Sequence, residues 1–347
     1  MSGKILQLGL LAVLLCAGGI GNARAQKAVP TPKLKTAPEV AAPPRIFPRP
    51  GRPVTPPYGN QNAERSIDVD PSVSIKMCVA EGSLKINGWE RNEVRVFVRS
   101  GRFPGFRVLE MDEKSRLANW LQIVNKVPEG TPHGPQPECL AGQEIEIDVP
   151  IGSKVDLTGR ATETVIDSIR KVSVKTAEGD IAIRNIAGGI NATTYQGNLI
   201  VESSGGSIIL ETTSGNILAF GVNPGQIGDL FKARAGSGNV TLQQVEHRQI
   251  EASSISGVVN FKGKLLTGGL YSFKTSSGPI RLYVPLKSSF TVKASYGFGG
   301  FDSEIPLKYI YQSNTDGAKN LQGLLGTGES NINLTTSQGN ISIKKQL

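Results

Sequence analysis

The residues that could do chemistry are few, and their spacing argues against most of it. Two histidines occur in 347 residues, His133 in a proline-bearing loop and His247 in a link between repeat units. Neither stands with a serine, cysteine or carboxylate in a pattern that would make a nucleophile–base pair, and both are expected to be solvated. Cys16, Cys78 and Cys139 are the only cysteines. Two thiols with no histidine nearby do not supply the four ligands of a structural zinc site. In an oxidising compartment Cys78 and Cys139 most simply pair with each other, closing a loop of about 60 residues. No phosphate-binding glycine loop and no metal-spaced cluster is present, so no cofactor and no metal is implied.

Whether the carboxylates could cooperate depends on the frame that holds them. Between Val172 and Ile343 one twelve-residue phrase recurs eight times: apolar-x-apolar-x-small-x-x-Gly-x-apolar-x-apolar. The copies are Val172–Ile183, Ile190–Val201, Ile208–Ala219, Phe231–Leu242, Ile250–Phe261, Tyr271–Leu282, Phe290–Phe301 and Ile332–Ile343. Their glycines are Gly179, Gly197, Gly215, Gly238, Gly257, Gly278, Gly297 and Gly339. Each copy holds two runs of strict alternation, the mark of a strand with one face buried. Between the runs the alternation slips, and a corner is expected there. Glycine, often followed by Asp180, Asn198, Asn216, Asn239 or Asn340, tolerates the positive φ of a tight bend. The small residue three places earlier suits a crowded inner corner.

A meander of hairpins and a β-solenoid both fit. The solenoid is favoured because one residue type recurs at one position, as in Val174, Ala192, Leu210, Ala233, Ala252, Phe273, Val292 and Leu334. Stacked coils about 4.8 Å apart would make these a column. The expected fold is therefore all-β, a parallel β-solenoid of eight coils over residues 161–347, preceded by a β-rich cap region over 67–160.

With that frame the outward positions can be written down. Four before the glycine stand Lys175, Thr193, Glu211, Arg234, Ser253, Lys274, Lys293 and Thr335; five after it stand Arg184, Glu202, Phe220, Gln243, Lys262, Tyr283, Asp302 and Lys344. Neither column gathers the paired acids that a glycosidase or lyase needs. Glu211 is expected beside Arg234 as a surface ion pair. One outward feature stands above background: Ile200 and Leu218 on neighbouring coils, Phe220 two residues on, and Ile209 on the other strand of the same coil. Either the 67–159 region or the Phe220–Leu230 link covers them, or they form a patch for a partner.

The chain begins with Lys4, an apolar run Ile5–Ile20 and Ala23-Arg24-Ala25, the pattern of a cleaved signal over residues 1–25. No later stretch is long and apolar enough to span a bilayer. Residues 26–66 read as a basic, proline-rich linker, with ten of the 21 prolines between Gln26 and Asn60. Residues 1–66 carry nine Lys/Arg against Glu39 and Glu64, so most of the formal +9 sits ahead of the folded part. Such a linker is a solvated spacer, or one drawn to an anionic surface. A nucleic-acid partner is not expected.

Several stretches resemble a known family. These are Gly82-Ser83-Leu84-Lys85-Ile86-Asn87-Gly88-Trp89, Asn92-Glu93-Val94-Arg95-Val96, Ile147-Asp148-Val149-Pro150-Ile151-Gly152, and the closing run Ile332–Ile341 with its Gly339-Asn340-Ile341 corner. Over residues 67–347 the chain resembles the bacterial putative-adhesin family of unknown function, built of β-strand repeats and related to toast-rack-like envelope domains. The resemblance implies an exported, repeat-built β domain with no established chemistry. Residues 100–142 depart from the compact family pattern.

The expected function is that of a non-catalytic exported protein of the periplasm or cell surface: an adhesin, scaffold or binding module of the cell envelope. The alternatives are a carbohydrate-active β-solenoid enzyme and an envelope-stress sensor that binds through the long link Asp302–Asn331.

Overall fold

Alternating apolar residues make strands, and the corner glycines break each repeat into two of them. The computed structural model describes residues 62–101, 103–125, 139–225, 228–315 and 317–346. All lie in one compact unit, Val54–Leu347. The signal expected at 1–25, all but the last five residues of the linker expected at 26–66, and His133 fall outside the described residues.

Before the repeats come β1 (Ala63–Trp89), β2 (Glu93–Arg99), β3 (Pro104–Met111), β4 (Ala118–Asn125), β5 (Leu140–Pro150) and β6 (Lys154–Asp167). Each repeat then supplies a first and a second strand. These are β7 (Lys171–Glu178) with β8 (Ile181–Arg184), β9 (Ile190–Gln196) with β10 (Leu199–Glu202), and β11 (Ile208–Ser214) with β12 (Ile217–Val222). They continue as β13 (Leu230–Ser237) with β14 (Val240–Val245), β15 (Gln249–Ser256) with β16 (Val259–Lys262), and β17 (Leu270–Ser277) with β18 (Ile280–Val284). The chain closes with β19 (Phe290–Phe298), β20 (Phe301–Ser303), β21 (Lys308–Thr315), β22 (Ala318–Leu325), β23 (Ser330–Gln338) and β24 (Ile341–Lys345).

From β7 to β18, first strands pair in parallel with the first strands of neighbouring repeats. Second strands likewise pair with second strands. This is a β-solenoid; in a hairpin meander β7 would instead have paired with β8. Its inward columns run unbroken. Val174, Ala192, Leu210, Ala233, Ala252 and Phe273 are register partners in turn, and all are buried.

The structure corrects the reading at both ends. At the C-terminal end, β17 pairs with β23, and β23 with β19, so the last repeat in sequence lies between the two before it. Register partners Val292↔Ile332 and Ala294↔Leu334 move the seventh copy from Phe290–Phe301 to Val292–Ser303. Its corner glycine is Gly299 (φ 132°) and not Gly297, and Ala294 takes the place of Val292 in the column. The cause is that Phe290, Val292, Ala294 and Tyr296 all face inward, so a slip of two residues leaves the alternation intact. The long link 302–331 is a hairpin, β21–β22, whose β22 pairs antiparallel with β19 and closes that end.

At the other end, residues 67–160 both cap the stack and belong to it. Strand β1 begins at Ala63, four residues before the expected boundary. Its Ile75, Met77 and Ile86 pair in register with Val155, Leu157 and Ile166 of β6, which continues into β7 and β8. On its other side β1 takes β4 and β5, with Leu121 beside Ile75 and Ile147 beside Ile86. Antiparallel β2 and β3 finish the end. Ile75–Ile86 obeys the twelve-residue phrase, with Gly82 at its corner (φ 119°). Val155–Ile166 has Thr162 where the glycine belongs, which hides it from a glycine count.

The small column has a chemical reason beyond space. Four of its hydroxyls donate to the corner glycine carbonyl of the preceding rung: Thr212 to Gly197 (3.0 Å), Ser254 to Gly238 (2.8 Å), Thr275 to Gly257 (3.1 Å) and Thr336 to Gly278 (3.1 Å). Ala235 interrupts the series, and the Thr176 hydroxyl is buried without a partner. Thr212→Val keeps the shape and removes the donor, so it should lower stability by about 1–2 kcal/mol in a urea titration. The asparagines form a second ladder. Asn216 N–H donates to Asn198 Oδ1 and Asn239 N–H to Asn216 Oδ1, both at 2.9 Å.

Candidate functional site

The outward apolar residues lie where the alternation puts them, on strands held rigidly by ladders on both edges. Ala182, Ile200, Leu218 and Thr241 are successive register partners on the second-strand face. Val165 of β6 precedes Ala182 in the same row. The sequence reading missed Val165 because its rung lacks the glycine. Ile200, Leu218 and Val165 are half-buried, and Phe220 is exposed at 42%. At about 4.8 Å per rung, Val165 to Leu218 is a stripe about 14 Å long. Ile209 is half-buried too, but it lies among the first strands beside Asn191 and Lys232, apart from the other three.

Among the described residues, none of the larger strand contacts brings β1 to β5 against β10 or β12. Strands β10 and β12 pack on the strands before and after them in the stack. The link after Val222 runs along the preceding link: Asn223 bridges Gly205, and Gly206 N–H donates to the Asn223 carbonyl at 3.2 Å.

Cys78 and Cys139 are joined in a disulfide, with Cα atoms 4.5 Å apart. It ties the first half of β1 to the start of β5, beside the register pair Val79↔Leu140. Glu211 and Arg234 are register neighbours, yet no ion pair joins them among the described residues. Asp167 is a firmly held surface acid. Burial works to raise its pKa, but bonds from Asn185, Ser168 and Arg184 outweigh that and hold it below the usual carboxylate range. Among the described residues no group of three or more His, Cys, Asp or Glu is placed to hold a metal ion.

His247 corrects its expectation, for it is fully buried. Its Nε2 lies 2.9 Å from the Gly206 carbonyl, which can only accept, so the neutral ring carries its proton there. Nδ1 is buried with no partner, and the ring packs on Phe231 at 5.8 Å. Apolar packing between links, unseen in the local sequence, draws it in. Burial lowers its pKa, against smaller opposing effects from the Gly206 bond and Asp229. The unfolded chain therefore takes up this proton first as pH falls. Stability should be level above about pH 6.5 and decline below it. His247→Gln, followed by denaturation at pH 7 and pH 5, should flatten that decline; an unchanged slope would assign it elsewhere.

Residues 143–344 match the family model described as Toastrack DUF4097. No curated protein sequence matches the chain. Among solved structures, the crystal structure of a "putative cell adhesion protein" from Clostridium sporogenes aligns with 82% of this chain and 100% of its own, at 13% identity and a TM-score of 0.27. That likeness is too slight to carry an argument about fold or role. The family match begins within β5, takes in every repeat from β7 onward and ends in β24. It covers more than half of the 347 residues, and the protein belongs to the Toastrack DUF4097 family.

Proposed function

We propose that the protein is a non-catalytic, exported binding module of the cell envelope, which presents the rigid outward faces of its stack to other envelope components. The observation that carries this reading is the outward stripe of half-buried Val165, Ile200 and Leu218 with the exposed Phe220 beside it. Four apolar side chains held on a ladder are costly to leave facing water unless something covers them. Two outward columns, four before and five after the corner glycine, support the same reading, since no two acids in them are register partners. The apolar run at 5–20 and the Ala23-Arg24-Ala25 site support export.

A photo-crosslinking residue in place of Phe220, combined with cell fractionation, tests both parts. The expected result is a cleaved chain in the envelope fraction, with an adduct that disappears when the crosslinker is moved to the exposed Lys287, in the link between β18 and β19. An uncleaved chain in the cytosolic fraction would sink the proposal. So would polysaccharide turnover that is abolished by changing a single surface carboxylate.

A further inference from the structure

The two faces of the stack differ in charge, and the difference is hidden in the overall composition. The first strands present three outward columns, fixed by register. Their charged members are Lys76, Lys154, Lys171, Lys175, Lys232, Arg234, Lys274 and Lys293, against Asp156, Glu211 and Glu251. Among the described residues none of these eight cations makes an ion pair. The two outward columns of the second strands instead balance five cations (Lys85, Arg184, Lys262, Arg281, Lys344) with five acids (Glu146, Asp148, Asp167, Glu202, Asp302). Two of these cations are paired, Arg184 with Asp167 at 2.7 Å and Lys344 with the adjoining Glu304 at 3.8 Å, and Asp148 is paired with Arg95 at 2.6 Å.

The first-strand face is also shaped. A groove of about 1320 Å³ is lined by Lys154, Arg170, Lys171, Ser173, Asn191 and Ser207, with no acid on its wall. Lys154 and Lys171 are shared with an adjoining hollow of about 630 Å³, where Lys76 and Trp120 stand with Glu110 and Asp156. Register runs Trp120, Ser74, Lys154, Lys171 in one line along the stack axis. Trp120 is 44% exposed and offers a flat apolar ring at the end of a row of cations.

We propose that this face binds an anionic polysaccharide laid along the stack axis, with Lys154, Arg170 and Lys171 meeting its acid groups and Trp120 stacking against a sugar ring. This rests on the binding-module reading above and supplies its ligand class. Rungs repeat every ~4.8 Å, a step comparable to one pyranose in an extended chain. The neutral outward residues are largely Ser, Thr, Asn and Gln, which suit sugar hydroxyls. The charge density also selects the polymer. A net excess of five cations over the nine rung spacings from Lys76 to Lys293 is about one charge per 9 Å. Duplex DNA carries one charge per about 1.7 Å, and a protein that tracks it needs a denser array.

The test uses the full-length chain and polygalacturonate as probe, with its methyl-esterified form as the neutral counterpart and a single-stranded oligonucleotide of equal charge as competitor. Polygalacturonate should bind and the ester should not. The double variant Lys154→Glu/Lys171→Glu should weaken binding by about tenfold or more, while Lys262→Glu/Arg281→Glu on the opposite face, with the same change in net charge, should alter it less than about twofold. Trp120→Ala should retain the salt-sensitive part of binding and lose the part that survives high salt. If the glutamate variant melts early, Lys154→Gln/Lys171→Gln carries the comparison. Equal loss from both faces, no binding of polygalacturonate, or tighter binding of the oligonucleotide would each overturn the proposal. An adduct from the Phe220 position would survive such a failure, so the two readings fail separately.

Discussion

Gly215→Ala should lower the unfolding free energy by about 4 kcal/mol, at the exceptional end for one methyl group. Two costs combine. The backbone there has φ 151°, which side chains rarely adopt, and an added Cβ would lie 2.0 Å from the Gly197 carbonyl oxygen of the rung before. That oxygen accepts the Thr212 hydroxyl, and its chain is held on both edges by parallel ladders, so the rung cannot give way without breaking pairs. Gly221 is the control. Its φ of 61° is also positive, but nothing lies within 4 Å of an added Cβ, so Gly221→Ala pays for conformation alone, about 1 kcal/mol. Urea unfolding of both variants separates close approach from backbone strain. Equal losses would mean that the stack breathes enough to admit a methyl group.

Reducing the Cys78–Cys139 bond, or making Cys139→Ser, should cost about 4 kcal/mol, since the bridge closes a loop with a sequence separation of 61. The loss should be local as well as large. A stacked repeat protein is coupled chiefly through nearest neighbours, and the bridge pins β5 to β1 at one end of the stack. Hydrogen exchange should therefore quicken in β2 to β5 and change little from β11 onward. A denaturation midpoint that ignores reductant would show that the ladder Val79–Trp89 against Leu140–Pro150 already holds that end by itself.

Much of this was open to reading from local pattern. Val174, Ala192 and Leu210 sit in one column because identical spacing on identical rungs leaves them nowhere else to go. The outward line of Ile200, Leu218 and Phe220 followed from the same alternation. The cysteine pair followed from having one possible partner each after the signal region. What failed did so for reasons of range. His247 looked like a link residue, and only the packing of one link on the next buries it against Phe231 and the Gly206 carbonyl. Phe290 to Tyr296 offered a choice of registers, and the partner strand β23 decided it.

The chain by itself determined that it is all-β, that its rungs have a first and a second strand, and which side chains face in. Alternation and a corner glycine are properties of a dozen neighbouring residues. Only the assembled stack decided that residues 75–86 and 155–166 are rungs, that the last repeat enters between its two predecessors, and that cations outnumber acids on the first-strand face. Those facts depend on which strand hydrogen-bonds to which. A parallel ladder can join segments at any distance in sequence, so no stretch of the chain records its own neighbour.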